Sequence, residues 1–277
     1  MIMKEQFQRT AMLLGEEAIE KLNRAHVAVF GIGGVGGFCV EALARAGVGA
    51  LDLIDSDIVC ESNLNRQIIA TYDTIGRPKV LVAKERVESI NPDCIVRPVQ
   101  AFVLTETDLA NNVIRCRNTE AQGASPEDLE EDGGSEQIVE LDLSAFDYIV
   151  DAIDTVSGKL AIIETAKRAG VPVISSMGTG NKMDPSALRV ADLYQTSVCP
   201  LARVMRRECR KRGIDQLEVV YSTEAPVSVS CPQDGKDSLG MEMEAQRRKK
   251  ILPGSNSFVP PTAGLLLASV VIRYLIK

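Results

Sequence analysis

The chain has no CxxC pair, a single histidine and no apolar run long enough to cross a bilayer. Each absence removes a class of function. Without cysteines paired at short spacing, a cysteine-cage zinc site has no support, and no zinc is expected. The seven cysteines stand at 39, 60, 94, 116, 199, 209 and 231, at no regular interval. Scattered thiols behind no signal peptide fit a reducing cytoplasm rather than a disulfide framework. His26 opens a strand, and no hydrolytic triad can be assembled from one histidine without partners. The last apolar stretch, "AGLLLASVVIRYLIK", is broken by Arg273. A membrane span needs roughly 20 apolar residues, so a buried or docking helix is expected there and no stable membrane span. No internal repeat is visible.

What is present is ordinary in bulk and uneven in detail. The 277 residues are 45% hydrophobic and 25% charged, enough for one large domain or two modest ones. Residues 118–142 hold nine acidic and no basic side chains, more than the whole formal charge of −7. With their glycine, serine and proline they read as a solvated, mobile insertion. Two basic clusters oppose them, "RVMRRECRKR" (203–212) and "RRKK" (247–250). Such runs are either solvated helix faces or phosphate contacts, since clustered cations attract a polyanion whatever the global charge.

The periodicity predicts an α/β fold, a doubly wound and mostly parallel sheet. Residues 4–24 read as an amphipathic helical arm. "HVAVFGIGG" is a buried strand ending in glycines, "GVGGFCVEALARAG" a helix closed by Gly47, and "ALDLID" the next strand. Pro78 suits the first turn of a helix through "PKVLVAKERVESI". "DCIVRPVQ", "FDYIVDAID" and "VPVISS" supply three more strands, with the helix "SGKLAIIETAKRAG" before the last. After residue 178, "ALRVADL" and "LEVVYST" read as strands flanking a helix punctuated by Pro200 and Gly213. The division expected is an arm over 1–25, a Rossmann-like core over 26–177 and a substrate-facing half over 178–277 built onto the same sheet.

"GIGGVG" fits G-x-G-x-x-G directly after a strand and opening a helix. Gly31, Gly33, Gly34 and Gly36 let backbone N–H groups approach phosphate oxygens, and the helix N-terminus adds partial positive charge. Asp55 ends the next strand about 20 residues on, placed to accept from a ribose hydroxyl. Arg66 follows Asp55 by 11 residues and Lys79 follows Arg66 by 13. Hydride transfer has no use for two cations over the phosphates, whereas breaking a phosphoanhydride does. Asp154, in "DAIDT" at the carboxyl edge of a strand, is placed to hold a magnesium ion, with Asp151 bracing the strand end.

The stretches "GIGGVGG", "DLIDSDIV", "SNLNRQ", "GRPK" and "DAIDT", in this order, resemble the ubiquitin-activating-enzyme-like adenylating enzymes, with the molybdopterin- and thiamine-pathway adenylyltransferases. The resemblance implies ATP on the glycine loop and its ribose on Asp55, with Asp57 close by. It places Asn63, Arg66 and Lys79 at the phosphates, with Gln67 beside them, and Asp154 at Mg2+. It implies attack of a carboxylate on the α-phosphate, and a homodimer in which Arg9 of the arm reaches the partner's ATP. The stretches "FQRTAMLLGEEAIEKL", "SSMGTGNKMDPSALRVADLYQTSVCPLARVMRRECRKRG", "VVYSTEAP" and "PGSNSFVPPTAGLLLASVVI" are similar to the tRNA threonylcarbamoyladenosine dehydratase branch. That branch implies ring closure on an adenosine beside the tRNA anticodon, with net loss of water. Arg203, Arg206, Arg207, Arg210, Lys211 and Arg212 then become candidate tRNA contacts.

Two features stay open. Cys231, in "SVSCPQDG", is either an ordinary loop cysteine or a reactive thiol for a cysteine-desulfurase sulfur-acceptor system known in the branch. "GTGNKMDP" is either a plain turn or a carbonyl site for a monovalent cation, Na+ or K+. Two other functions compete: an adenylyltransferase acting on the C-terminal glycine of a ubiquitin-like sulfur carrier, and a nicotinamide-dependent oxidoreductase or non-catalytic nucleotide-binding module.

Overall fold

The computed structural model describes residues 4–119, 137–228 and 253–277. Cys231, the cluster at 247–250 and most of the acidic insertion lie outside the described residues. The arm is two helices, α1 (Gln8–Leu14) and α2 (Glu16–Arg24), broken by Gly15 at φ 89°. Ile19 and Leu22 of α2 bury their side chains, while Met12 and Leu13 of α1 are more than four-fifths exposed.

β1 (His26–Phe30) leads into α3 (Gly36–Ala46), β2 (Ala50–Ile54), α4 (Lys79–Ile90) and β3 (Ile95–Val99). The chain then makes β4 (Ala101–Asp108), β5 (Val113–Asn118) and β6 (Ile138–Asp142), an antiparallel sheet of its own. It returns through β7 (Tyr148–Asp151), α5 (Val156–Ala169) and β8 (Val173–Ser176). β9 (Leu188–Asp192), α6 (Pro200–Lys211), β10 (Glu218–Ser222) and α7 (Val259–Leu275) complete the described elements. The large sheet has the order β3-β2-β1-β7-β8-β10-β9, parallel except where β9 pairs antiparallel with β10. The strands past residue 177 therefore continue the sheet that holds the glycine loop.

Strand alternation sorts the core into two layers. Val27 and Val29 of β1 face α3, α4 and α7, while Ala28 and Phe30 face α5, α6 and the small sheet. All four are fully buried, as a parallel strand covered on both faces must be. The stretch ending in "LLLASVVI" is α7, buried rather than docked on an outside partner. Leu267 has no exposure, which contributes about 1.5–3 kcal/mol for such a side chain. Its Gly264 lets α7 lie against the start of α3, since a Cβ there would stand 2.2 Å from the Val35 carbonyl oxygen. Among the described residues no helix is long and apolar enough to cross a membrane.

The small sheet corrects the expectation of a solvated segment over 118–142. Asn118 ends β5 and residues 138–142 form β6, with Arg115 opposite Glu140 and joined to it at 2.9 Å. Ile114 and Cys116 point into the second layer with no exposure. Alternation, not overall acidity, decides the ends of that segment.

Candidate active site

β1 and β7 lie side by side, and the chain leaves them toward opposite edges of the sheet. A crevice opens at such a point, outside the carboxyl ends of the strands. There a cleft of about 560 Å³ is lined by Gly31, Gly33, Gly34, Asp55, Asp57, Asn63, Arg66, Gln67, Lys79 and Asp154. Residues chosen from separate motifs thus converge on one space. Gly31 needs its glycine twice. Its φ is 89°, and a Cβ would lie 2.7 Å from the Ala152 backbone at the end of β7. Gly36 starts α3 behind the lining, where a Cβ would overlap the Gly31 carbonyl oxygen at 1.7 Å.

Asp55 holds this loop in shape. Its Oδ2 accepts from the Ile32 N–H at 2.6 Å and its Oδ1 from the Asp57 N–H at 2.8 Å. Each carboxylate oxygen keeps a second lone pair for a ligand hydroxyl. Burial raises the Asp55 carboxyl above its ordinary value, against the lowering pull of Lys79, while the Asp57 charge adds to the rise. Lys79 is buried, and its Nζ donates to Asp57 Oδ2 at 2.6 Å. Asn63 Oδ1 accepts from the Cys60 N–H at 3.0 Å, fixing the turn that carries Arg66. The Arg66 stem rests on Gly34, where a Cβ would be 3.2 Å from Arg66 Cγ. Gln67 is buried, and its Oε1 has no hydrogen-bond partner among the described residues. An unpaired buried acceptor costs about 1–3 kcal/mol until a donor reaches it.

The floor is a buried ion pair. Lys159 Nζ lies 3.2 and 3.1 Å from the two oxygens of Asp151, and donates at 2.7 Å to the Ser176 carbonyl. Ser175 Oγ donates to Asp151 Oδ2 at 2.5 Å. Asp151 braces the ends of β7 and β8, while Asp154 stands exposed on the lining with no ion pair among the described residues.

The cleft continues past the phosphate loop to a second end, in which the sequence singled out only the turn beginning at Gly178: Ser176–Gly180, Leu201, Pro253–Ser255 and Pro260. Here distant segments are clasped together. Asn181 and Gly254 exchange two hydrogen bonds, Asn181 N–H to the Gly254 carbonyl at 2.8 Å and Gly254 N–H to Asn181 Oδ1 at 2.6 Å. Asn256 Nδ2 donates to the Lys182 carbonyl at 2.7 Å, and the Asn181 carbonyl accepts from the Val227 N–H at 2.9 Å. Lys182 Nζ donates to the Glu224 carbonyl. The turn considered for a monovalent cation therefore spends these groups on protein partners. Ala101, Phe102 and Val103 of β4 also line the cleft beside Asp55, and the apolar run "AFVL" was the available signal.

The basic cluster on α6 is less uniform than its sequence. Arg206 turns inward, donating to the Thr196 carbonyl at 2.9 Å. Arg207, Lys211 and Arg212 share Glu208, whose carboxyl the surrounding cations pull down to about 2. Arg203 and Arg210 are exposed and in no ion pair among the described residues, Arg210 lying over the Tyr194 ring at 5.2 Å. Arg9 is exposed on α1 and does not line the cleft of its own chain. His26 bonds Asp52 at 2.7 Å at the opposite end of β1.

The ThiF family profile matches residues 7–277. A Bacillus subtilis (strain 168) tRNA threonylcarbamoyladenosine dehydratase is 36% identical over 276 residues, covering 99% of this chain and 96% of that protein. The Escherichia coli tRNA N6-threonylcarbamoyladenosine dehydratase, solved in complex with ATP, superposes with a TM-score of 0.72 at 31% identity, over 98% of this chain and 94% of its own. E. coli MccB, at 18% identity and a TM-score of 0.58 over 99% of this chain and 65% of its own, shares the fold alone. By its full-length match and its site architecture, this chain belongs to the ThiF family, in the tRNA threonylcarbamoyladenosine dehydratase branch.

Proposed function

We propose that this protein uses ATP to dehydrate N6-threonylcarbamoyladenosine beside the anticodon of tRNA, closing the side group into a ring. One observation carries the reading. A single cleft joins a phosphate loop flanked by Arg66 and Lys79 to a second compartment lined by Ser176–Gly180 and Pro253–Ser255. Such a cleft can seat a nucleotide and a second substrate side by side, and in this reading the substrate supplies its own nucleophiles. A carboxylate oxygen of the substrate attacks the α-phosphorus, the bond to pyrophosphate breaks, and an acyl-adenylate forms. A nitrogen of the same side group then attacks the activated carbonyl and loses its proton. AMP leaves with the former carboxylate oxygen, so the nucleoside has lost one water. Tethering gives that nitrogen a high effective concentration.

In this reading, backbone N–H groups at Gly31–Gly36 meet the triphosphate, Asp55 takes the ribose, and Phe102, Val103 and Ile153 flank the base. Arg66 and Lys79 balance the charge that builds on the phosphate oxygens, with Asn63 and Gln67 beside them. Lys79 has three N–H donors and can serve a phosphate while keeping Asp57. Asp154 fits a Mg2+ site: it is an exposed carboxylate on the lining with no ion pair among the described residues, and Mg2+ is usually held by one or two carboxylates plus phosphate oxygens. Mg2+ bound there would neutralise phosphate charge. Exposed Met12 and Leu13 beside Arg9 support an arm that docks on a second copy. Arg203 and Arg210, in no ion pair among the described residues, are the better candidates for tRNA phosphates.

Mass spectrometry of nucleosides tests the reaction, after incubating tRNA that already carries threonylcarbamoyladenosine with the protein and Mg-ATP. ATP-dependent loss of one water's mass from that nucleoside is expected. An unchanged nucleoside with ATP bound would sink the reading and redirect the search to carrier proteins ending in glycine.

A further inference from the structure

We propose that Asn65 is a positioning residue that orients the Arg66 guanidinium and ties it to the far wall of the cleft; this rests on the reading of the cleft as an ATP site. The guanidinium is engaged on one nitrogen. Arg66 Nη1 donates to the Ser62 carbonyl at 2.9 Å and to Asn65 Oδ1 at 2.8 Å. Those two acceptors use both of its N–H groups. Among the described residues no acceptor reaches Nε or Nη2. That edge carries the two parallel N–H groups with which arginine grips a phosphate. Asn65 and Ser62 hold one side of the fork and leave the other without a protein acceptor among the described residues, on a side chain that lines the cleft.

The other half of the Asn65 amide points elsewhere. Its Nδ2 donates to the Ser255 carbonyl at 3.1 Å. Ser255 sits between two anchored neighbours: Gly254, paired twice with Asn181, and Asn256, which bonds Lys182. Asn256 Oδ1 also accepts from the Val259 N–H at 2.9 Å, at the start of α7. A side-chain amide is suited to accept from arginine and donate to a carbonyl at once. The geometry couples the arginine at the phosphates to the wall of the second compartment, so that a shift of 253–256 displaces the guanidinium. None of the ion pairs in the site does this, because all of them lie on the nucleotide side or in the floor.

The test is a double-mutant cycle on ATP affinity, measured by calorimetry on the full chain with Mg2+. Asn65 is exposed, so its truncation leaves the core intact, and unfolding midpoints without nucleotide verify this. Asn65→Ala is expected to weaken ATP binding about 5-fold when Arg66 is present, and to have no effect when Arg66 is already alanine. An equal loss in both backgrounds would make Asn65 a general prop of the wall and overturn the proposal. So would no loss in either. The readout does not depend on the acceptor: protein that binds ATP but leaves tRNA unchanged would sink the proposed function while the cycle still decided Asn65. Protein that bound no ATP would overturn both.

Discussion

The nucleotide end of the cleft is braced by strand ends and buried charge, whereas the second end is closed by amide side chains reaching for carbonyls. At the first, Asp55 locks the glycine loop from below and the Asp151–Lys159 pair locks the floor. At the second, Asn181, Asn256 and Asn65 bridge segments 178–184, 253–256 and 62–67 through half-exposed bonds. Buried, mutually satisfied charges break all at once, while exposed neutral hydrogen bonds contribute about 0.5–1.5 kcal/mol each and give way singly. A site that binds one constant molecule and one large polymer is served by that division. In the proposed reading ATP would meet a braced cradle, and the nucleoside a wall that can adjust.

The comparison can be broken hardest at the floor. Lys159→Met leaves Asp151 buried without its cation, and a loss of about 3–5 kcal/mol in unfolding free energy is expected in urea titration. A loss under 1 kcal/mol would mean the floor is not held by charge. Next, Arg66→Ala should keep the unfolding midpoint and slow adenylation by at least about 100-fold, the scale of one transition-state contact. Unchanged turnover would remove Arg66 from the chemistry. Gly180→Ala probes the other end. A Cβ there would lie 2.7 Å from Pro253 Cβ, so the wall must shift. In an Asn65→Ala background, where the link from the wall to Arg66 is cut, the KM for tRNA is expected to rise about 5- to 10-fold while ATP affinity stays put, and parallel losses of both would erase the distinction between the ends.

A pH titration sharpens the nucleotide end alone. In the proposed reading a ribose hydroxyl donates to ionised Asp55, and burial has raised that carboxyl above its ordinary value. Acid should therefore weaken ATP binding at a higher pH than an ordinary carboxylate would, and Asp55→Asn should lack that dependence. The smallest effect belongs to α6. Arg203→Ala should weaken tRNA binding a few-fold and reduce the salt slope by about 1. Arg207→Ala, whose charge Glu208 already offsets, should do less in the same salt titration.

The nucleotide end was readable in the sequence because chain-local rules make it. A strand, a glycine turn, a helix and an acid at the next strand end follow each other within one βαβ unit. Asp151 as a brace and Asp154 as an exposed carboxylate follow from their places at the end of β7. The second end was not readable, since nothing in "GTGNKMDP" or "PGSNS" announces that Asn181 and Gly254 will pair across the molecule. Asn65 lies inside "SNLNRQ", yet its bond to Ser255 has no local signal, because it depends on where a segment 190 residues away arrives. The small sheet was legible in principle: "VIRCRN" and "IVELD" alternate, but the acidity between them drew attention to composition. Arg206 had no signal to separate it from its neighbours, for only the packing of Thr196 turns it inward.

The contact of Gly264 with the Val35 carbonyl has a consequence in time. α3 opens with the glycines of the nucleotide loop, and the helix that seats it is made late in synthesis. A nascent chain carries the whole phosphate-binding motif long before it can use it. ATP capture should therefore switch on as α7 leaves the ribosome, rather than grow steadily with the length of the polypeptide. Chains stalled before α7 would be blind to nucleotide.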